Sequence, residues 1–182
     1  MATRDDRAAL IDTVVVAFDQ DPAFRYFFGD ELFAVDAPAF VGALFDSRVD
    51  AGATWITDDA GAVAMWANPE ADSVRSDFGA LDPSTRARLA AYDEATHAAL
   101  PDSPFWYLGI LATHPNYRGL RLGRSAMQPG LDRSRETGLP AYLETTSDAN
   151  VAMYERSGWE TSTVTEFEDL AITVLRYTGA AD

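Results

Sequence analysis

Apolar side chains change their spacing several times along the chain, and each change predicts an element. Thr3 followed three residues later by Asp6 resembles a capping box. Leu10, Ile11, Val14, Val15 and Phe18 then recur at helical spacing, which predicts a helix over about residues 4–18. The densely aromatic stretch FRYFFGDELF, Phe24 to Phe33, reads as a short helix or a loop against the core. Asp36 is then expected to cap a second helix through about Val49, with Phe40, Leu44 and Phe45 on one side. The segment TWITDDAGAVAMWA, Thr54–Ala67, reads as a β-hairpin turned by DDAG, and residues 70–82 are polar and turn-rich. A helix from Pro83 to Leu100 follows, capped by Asp82.

The second half alternates more regularly. Phe105–Pro115 is almost continuously apolar, which predicts a strand buried on both faces. A helix over about Leu122–Thr137 stops at Gly138, and Pro129 with Gly130 predicts a kink inside it. Ala141–Thr146 reads as a short strand. SDANVAMYERSG reads as a helix capped by Ser147 or Asp148, with Gly158 past its end. Strands over about Trp159–Glu166 and Leu170–Thr178 close the chain. The order strand, helix, strand, helix, strand, strand predicts an α/β domain with a mixed sheet.

Composition narrows the function. A chain of 182 residues, 47% apolar and 12% aromatic, suits one compact domain with a real core. No apolar run is long enough to cross a bilayer, and the first residues lack an apolar export signal, so a cytoplasmic protein is the default expectation. With no cysteine, a disulfide scaffold, a thiolate metal site and a cysteine nucleophile are excluded; two histidines, His97 and His114, make a histidine-rich metal site a poor expectation. The net charge of −15 argues against nucleic acid or an anionic membrane as partner and favours a cationic or neutral substrate.

Against that acidity, five of the 14 arginines fall between Arg118 and Arg135. The first three lie in PNYRGLRLGR, where a buried strand turns into a helix. Free backbone N–H groups and the helix dipole favour an anion at such a junction. Gly119 and Gly123 let the backbone approach it, and arginine pairs phosphate oxygens in bidentate fashion. This describes a cradle for a phosphate-bearing ligand, most naturally a pyrophosphate. A solvated arginine face is the competing reading, and spacing alone leaves both open. Further on, Glu144 lies on a strand, and Asn150 and Tyr154 share a helix face at i, i+4. Beside the cradle strand they would offer a base and an acid to one crevice. Taken by spacing alone they also fit a solvated carboxylate, a local helix cap and a packing anchor.

These stretches together resemble the acetyl-CoA-binding core of the GNAT superfamily of N-acetyltransferases. Arg118 to Gly123 matches the family's Arg/Gln-x-x-Gly-x-Gly/Ala loop, and Asn150, Tyr154, Gly158 and Trp159 match its Asn-x-x-x-Tyr-x-x-x-Gly-Phe helix. More narrowly, AFDQDPAFR, the hairpin ending in AMWANPE, FWYLGILATHPNYRG and LETTSDANVAMYERSGW resemble puromycin N-acetyltransferase and its relatives. The resemblance implies a GNAT fold: a mixed central sheet of about six to seven strands, splayed between the acetyl-CoA-binding strands and flanked by helices. It spans residues 1–182 as a single domain, with an acceptor-side half to about residue 104 and an acetyl-CoA half beyond it.

The resemblance also implies acetyl-CoA as co-substrate, no metal, and transfer of the acetyl group to a primary amine of a small molecule of the aminonucleoside or puromycin kind. Leu111, Ala112 and Thr113 would hold the pantetheine arm. Arg118, Gly119, Leu120, Arg121, Leu122, Gly123 and Arg124 would hold the pyrophosphate, and Asn150 the cofactor arm. Tyr154 would protonate the departing thiolate and Glu144 would act as base. His114 is expected to be structural. Phe24, Tyr26, Phe27, Phe28, Trp55 and Trp66 are candidates for an aromatic acceptor wall. No nucleic-acid or membrane partner is expected, and a homodimer is one option for assembly. Arg121 stands where the family has its central loop glycine, which keeps open the alternative of a catalytically weak acyl-CoA-binding regulatory module. The family's first strand is expected to be short or absent.

Overall fold

The computed structural model describes residues 1–69 and 76–179. Its strands are β1 (Thr54–Ile56), β2 (Ala62–Ala67), β3 (Trp106–Thr113), β4 (Ala141–Thr145), β5 (Trp159–Phe167) and β6 (Leu170–Tyr177). Its α-helices are α1 (Arg7–Ala17), α2 (Pro22–Arg48), α3 (Pro83–Ala99), α4 (Leu122–Thr137) and α5 (Asp148–Glu155). The strands form one six-stranded mixed sheet in the order β1-β2-β3-β4-β6-β5, in which only the β3–β4 pair is parallel. Among the described residues a 3-10 turn, Arg4–Asp6, is the first element, and the Ala2 N–H donates to the Thr54 carbonyl at 2.9 Å.

Two apolar cores cover the two faces of the sheet. Leu10 and Val14 of α1, Phe27, Phe40 and Phe45 of α2 and Tyr92 of α3 pack on one face. Ala126, Met127 and Leu131 of α4 with Tyr154 of α5 pack on the other. Local chemistry sets the helix starts as the sequence leads one to expect. Asp82 accepts from the Ser84 N–H at 2.8 Å, and the Ser147 hydroxyl accepts from the Asn150 N–H at 3.4 Å. Both hairpin strands form, joined through a tight turn in which Asp59 is left-handed at φ 55°. The turn-rich stretch at 70–82 falls within the described residues only from 76 onward.

Three expectations are corrected. The aromatic stretch and the following segment are one helical run, α2, broken only at Gly29 (φ 58°, ψ −173°). Its cap is Asp21, whose carboxylate accepts from the Ala23 and Phe24 N–H groups at 3.0 and 3.1 Å. Asp36 is therefore no cap; it is buried inside the helix and accepts from the Asp82 N–H at 3.1 Å, tying α2 to the start of α3. The α4 segment runs as a single helix through Pro129. Gly130 is needed there because a Cβ would lie 2.2 Å from the Trp66 ring, so the helix rests directly on that indole.

The third correction concerns β3, which is not buried on both faces along its length: even-numbered residues are buried and odd ones only half-buried. Pairing with β2 slips by one residue, Met65 opposite Ile110 and Trp66 opposite Leu108, which leaves Gly109 as a bulge. Side chains change face across it. Trp106 and Leu108 enter the α4-side core, whereas Ile110 and Ala112 enter the α1/α2-side core.

Candidate active site

The same bulge opens the site. β3 pairs with β4 only at Trp106–Ala141, Tyr107–Tyr142 and Leu108–Leu143. Beyond Gly109, β3 continues to Thr113 paired with β2 alone, and Glu144 and Thr145 pair with β6 alone. A bulge bends its strand and increases the local twist, so the two central strands part there. The backbone of residues 109–113 then turns unpaired polar groups into the gap, a strand edge inside the sheet.

Two cavities meet at this gap. The first, about 290 Å³, is lined by Leu111–Thr113, Arg118, Gly123, Arg124 and Asn150, with Tyr154 at its end. These are the residues singled out for the cofactor. Gly119, Leu120, Arg121 and Leu122 do not line it, so any role for them there would be a role of the loop backbone. Leu120 is 63% exposed, whereas Leu122 packs with Leu111 on the α4-side core. Arg121 adopts φ 60°, ψ 17° and gives α4 no side-chain cap. The left-handed turn that a glycine would form is thus made by an arginine, and the first-turn N–H groups of α4 are left facing outward for an anion. Gly123 lets this turn approach the end of β3; its Cβ would stand 2.9 Å from Thr113 Oγ1.

The second cavity, about 530 Å³, lies on the α1/α2 side. Phe24, Phe27, Phe40 and Phe78 supply its aromatic wall, with Tyr92 and Tyr107. Of the expected wall residues only Phe24 and Phe27 take part. Phe28 is buried in the core, Tyr26 packs edge-on against Phe167 at 5.4 Å, and Trp55 and Trp66 lie on the opposite face of the sheet. Phe18, Asp21, Leu111, Asn150 and Tyr154 line both cavities and mark the junction.

Glu144 lines the second cavity, far from the solvated strand end that spacing alone allows. Its carboxylate accepts a hydrogen bond from the Tyr107 phenol. Burial pushes its pKa up from 4.5 to about 7, an effect the Tyr107 hydrogen bond partly offsets. Burial, reinforced by the Glu144 charge, also raises the pKa values of Tyr107, Tyr92 and Tyr154, so all three phenols keep their protons. Tyr154 is 7% exposed, packs edge-on to Trp159 at 5.9 Å, and makes no side-chain hydrogen bond among the described residues. The Asn150 amide reaches Thr145 Oγ1 at 3.4 Å, tying α5 to the end of β4. His114 accepts from the Asn116 N–H at 3.2 Å, a local turn contact.

Sequence reasoning missed Tyr107, Asp21 and Arg48. Tyr107 is hidden in an apolar run; only its alternation with Trp106 and Leu108 distinguishes it. Asp21 caps α2 at the junction, where burial raises its pKa against the two backbone hydrogen bonds that lower it. Arg48 is the last residue of α2 and lines the second cavity.

A family model described as the acetyltransferase (GNAT) family matches residues 19–159. The chain belongs to the GNAT acetyltransferase family. Solved structures with this GNAT fold include a histone acetyltransferase HPA2 and related acetyltransferase from Corynebacterium glutamicum, with 22% identity, covering 100% of this chain and 95% of that one, at a TM-score of 0.63. Arylalkylamine N-acetyltransferase 2 from Aedes aegypti matches with 10% identity over 96% of this chain and 95% of that one, at 0.67. The C-terminal condensation domain of Ebony, in complex with β-alanyl-dopamine, matches with 11% identity over 96% and 95%, at 0.71. At these identities the likeness is one of fold. Acetyl-CoA is the family's co-substrate, and the first cavity fits it: an open strand edge for an amide-bearing arm, then a helix start with two arginines for phosphates. Among the described residues no cluster of His, Asp or Glu could hold a metal, and no helix is long and apolar enough to cross a membrane.

Proposed function

We propose that this GNAT enzyme transfers the acetyl group of acetyl-CoA to the primary amine of a small molecule with an aromatic part, of the aminonucleoside or puromycin-like kind. One observation carries the reading: the aromatic cavity and the arginine-flanked cavity join at the parting of β3 and β4, with Tyr154 at the junction and Glu144 beside it. In this reading the half before about residue 104 supplies most of the aromatic wall, and the rest of the chain supplies the cofactor cleft.

The backbone of Leu111–Thr113 holds the pantetheine arm as an added strand would be held, and points an N–H at the thioester carbonyl oxygen. Arg118, Arg124 and the loop backbone hold the pyrophosphate, and Asn150 steadies the arm. Glu144, with a pKa of about 7, takes the proton that the acceptor ammonium must lose before attack. The amine nitrogen bonds to the carbonyl carbon, and the carbon–sulfur bond breaks. Tyr154, kept protonated by burial, gives its proton to the sulfur as charge develops there. That burial penalises a bare thiolate as well and raises the thiol's pKa, which reduces the uphill gap between phenol and sulfur. The amide nitrogen sheds its second proton, which restores the Tyr154 phenol, and the proton held on Glu144 leaves to solvent, so one proton is released per transfer. Acetyl-CoA-dependent thiol release across a panel of amines, with puromycin and aminonucleosides included, tests the reading. Tyr154→Phe is expected to lower kcat by about 10²-fold or more with acetyl-CoA affinity little changed. Full turnover by that variant would remove Tyr154 from the chemistry.

A further inference from the structure

We propose that the acceptor carries a carboxylate in addition to its amine, and that Arg48 binds that carboxylate. The inference rests on the acetyltransferase reading of the same cavity and keeps its aromatic amine, but points to an aromatic amino acid in place of an aminonucleoside.

Arg48 has no hydrogen-bond or ion-pair partner among the described residues, and its Nη1 is buried. The acids on the neighbouring turn are already engaged, Asp46 by Arg7 at 2.9 Å and Asp50 by Arg4. Glu144 is held by the Tyr107 phenol. The guanidinium lies against the bulge, with Nη2 3.7 Å from where a Cβ on Gly109 would stand. Burial works against its charge, and the nearby Tyr107 and Glu144 support it only in part.

Leaving a buried cation unpaired is costly, and a guanidinium matches a carboxylate with two parallel hydrogen bonds. Two further buried polar atoms without partners, Thr96 Oγ1 and Thr146 Oγ1, belong to residues lining the same cavity. Three of the six such atoms among the described residues thus belong to this cavity's lining, the others being on Thr54, Trp66 and Trp159; the guanidinium can only donate, and a threonine hydroxyl can donate to an acceptor oxygen as well. Arg48 lines the second cavity only, whereas Asp21 and Tyr154 also line the first. A molecule with its amine toward the junction and its carboxylate on Arg48 uses both ends of this charge pattern, and the phenylalanine wall takes the ring between them.

The test compares matched pairs that differ by the carboxylate: phenylalanine against phenethylamine, and tryptophan against tryptamine, followed by thiol release from acetyl-CoA. For the wild type, kcat/KM is expected to favour the amino acid at least tenfold. In Arg48→Met that ratio should fall to about one. The variant should melt no lower than the wild type, because an unpaired buried charge has been replaced by an apolar chain of similar length. Ligand-induced rises in the melting temperature of the wild type provide a second readout, larger for the amino acid. Equal turnover of phenylalaninamide and phenylalanine overturns the carboxylate, as does a preference that survives in Arg48→Met. Thiol release with the carboxylate-free amines alone overturns the inference and leaves the acetyltransferase reading standing. No acceptor-dependent thiol with any amine overturns both.

Discussion

Glu144→Gln should make the enzyme more stable and inactive at once, and the size of the gain should depend on pH. In the folded chain burial raises the Glu144 pKa from 4.5 to about 7. The folded state therefore holds this proton more tightly than the unfolded state does. A carboxyl of that kind supports the fold below pH 4.5, and its contribution falls as pH rises from 4.5 through 7. A shift of about 2.5 units at about 1.36 kcal/mol each makes the ionised group a burden of about 3 kcal/mol above pH 7. Glutamine has the same shape, can still accept from Tyr107, and carries no charge. The gain should be about 1 kcal/mol at pH 5 and about 3 kcal/mol at pH 8.5, from the same linkage relation. For a chain of this size about 3 kcal/mol corresponds to a rise in Tm of roughly 6–12 °C. Thermal and urea unfolding of both proteins at the two pH values measures it, and thiol release measures the accompanying loss of turnover. A variant no more stable than wild type at pH 8.5, or a gain that is the same at both pH values, would refute the reasoning that this carboxylate is held ionised against burial.

Three further outcomes follow from particular contacts. Tyr107→Phe removes the hydrogen bond that lowers the Glu144 pKa, so the acidic limb of kcat/KM should move up by about one unit, taking about 1.5 kcal/mol for a bond to a charged group; an unmoved limb argues that Glu144 is not the base. Arg121→Gly relieves a left-handed arginine at φ 60° and should raise stability by about 1 kcal/mol in urea titrations; a loss of stability would mean that the side chain holds the loop. Gly130→Ala puts a methyl group 2.2 Å from the Trp66 ring and should cost about 2 kcal/mol or more, read as a fall in Tm; an unchanged Tm would contradict direct packing of α4 on that indole.

Much of the architecture was legible because each element carried its own local cause. Asp82 and Ser147 sit where their caps are needed, Gly138 ends α4 at φ 70°, and apolar periodicity marks the strands. The residues from Arg118 to Tyr154 that line the first cavity were legible as a group for the same reason. What escaped depends on contacts distant in sequence. Asp36 has the local look of a cap, yet its partner is Asp82, 46 residues away. Tyr107 and Glu144 are 37 residues apart and meet only because β3 and β4 lie side by side. The bulge at Gly109 decides which faces of β3 enter which core and where the sheet opens, and the one local sign of that slip is the glycine itself, set inside an apolar run. Only two of the six aromatic residues expected on the wall line the second cavity, because aromatic side chains read alike whether they face a cleft or a core. Trp66 and Phe27 became distinguishable only once the sheet had two sides.

The most direct test of the central claim is the structure of this protein with acetyl-CoA bound. The account predicts the pantetheine arm along residues 109–113 in the gap beside β4, the pyrophosphate at the start of α4, and the sulfur within about 3.5 Å of the Tyr154 hydroxyl. A cofactor lying outside the gap, or a sulfur far from Tyr154 and Glu144, would contradict it.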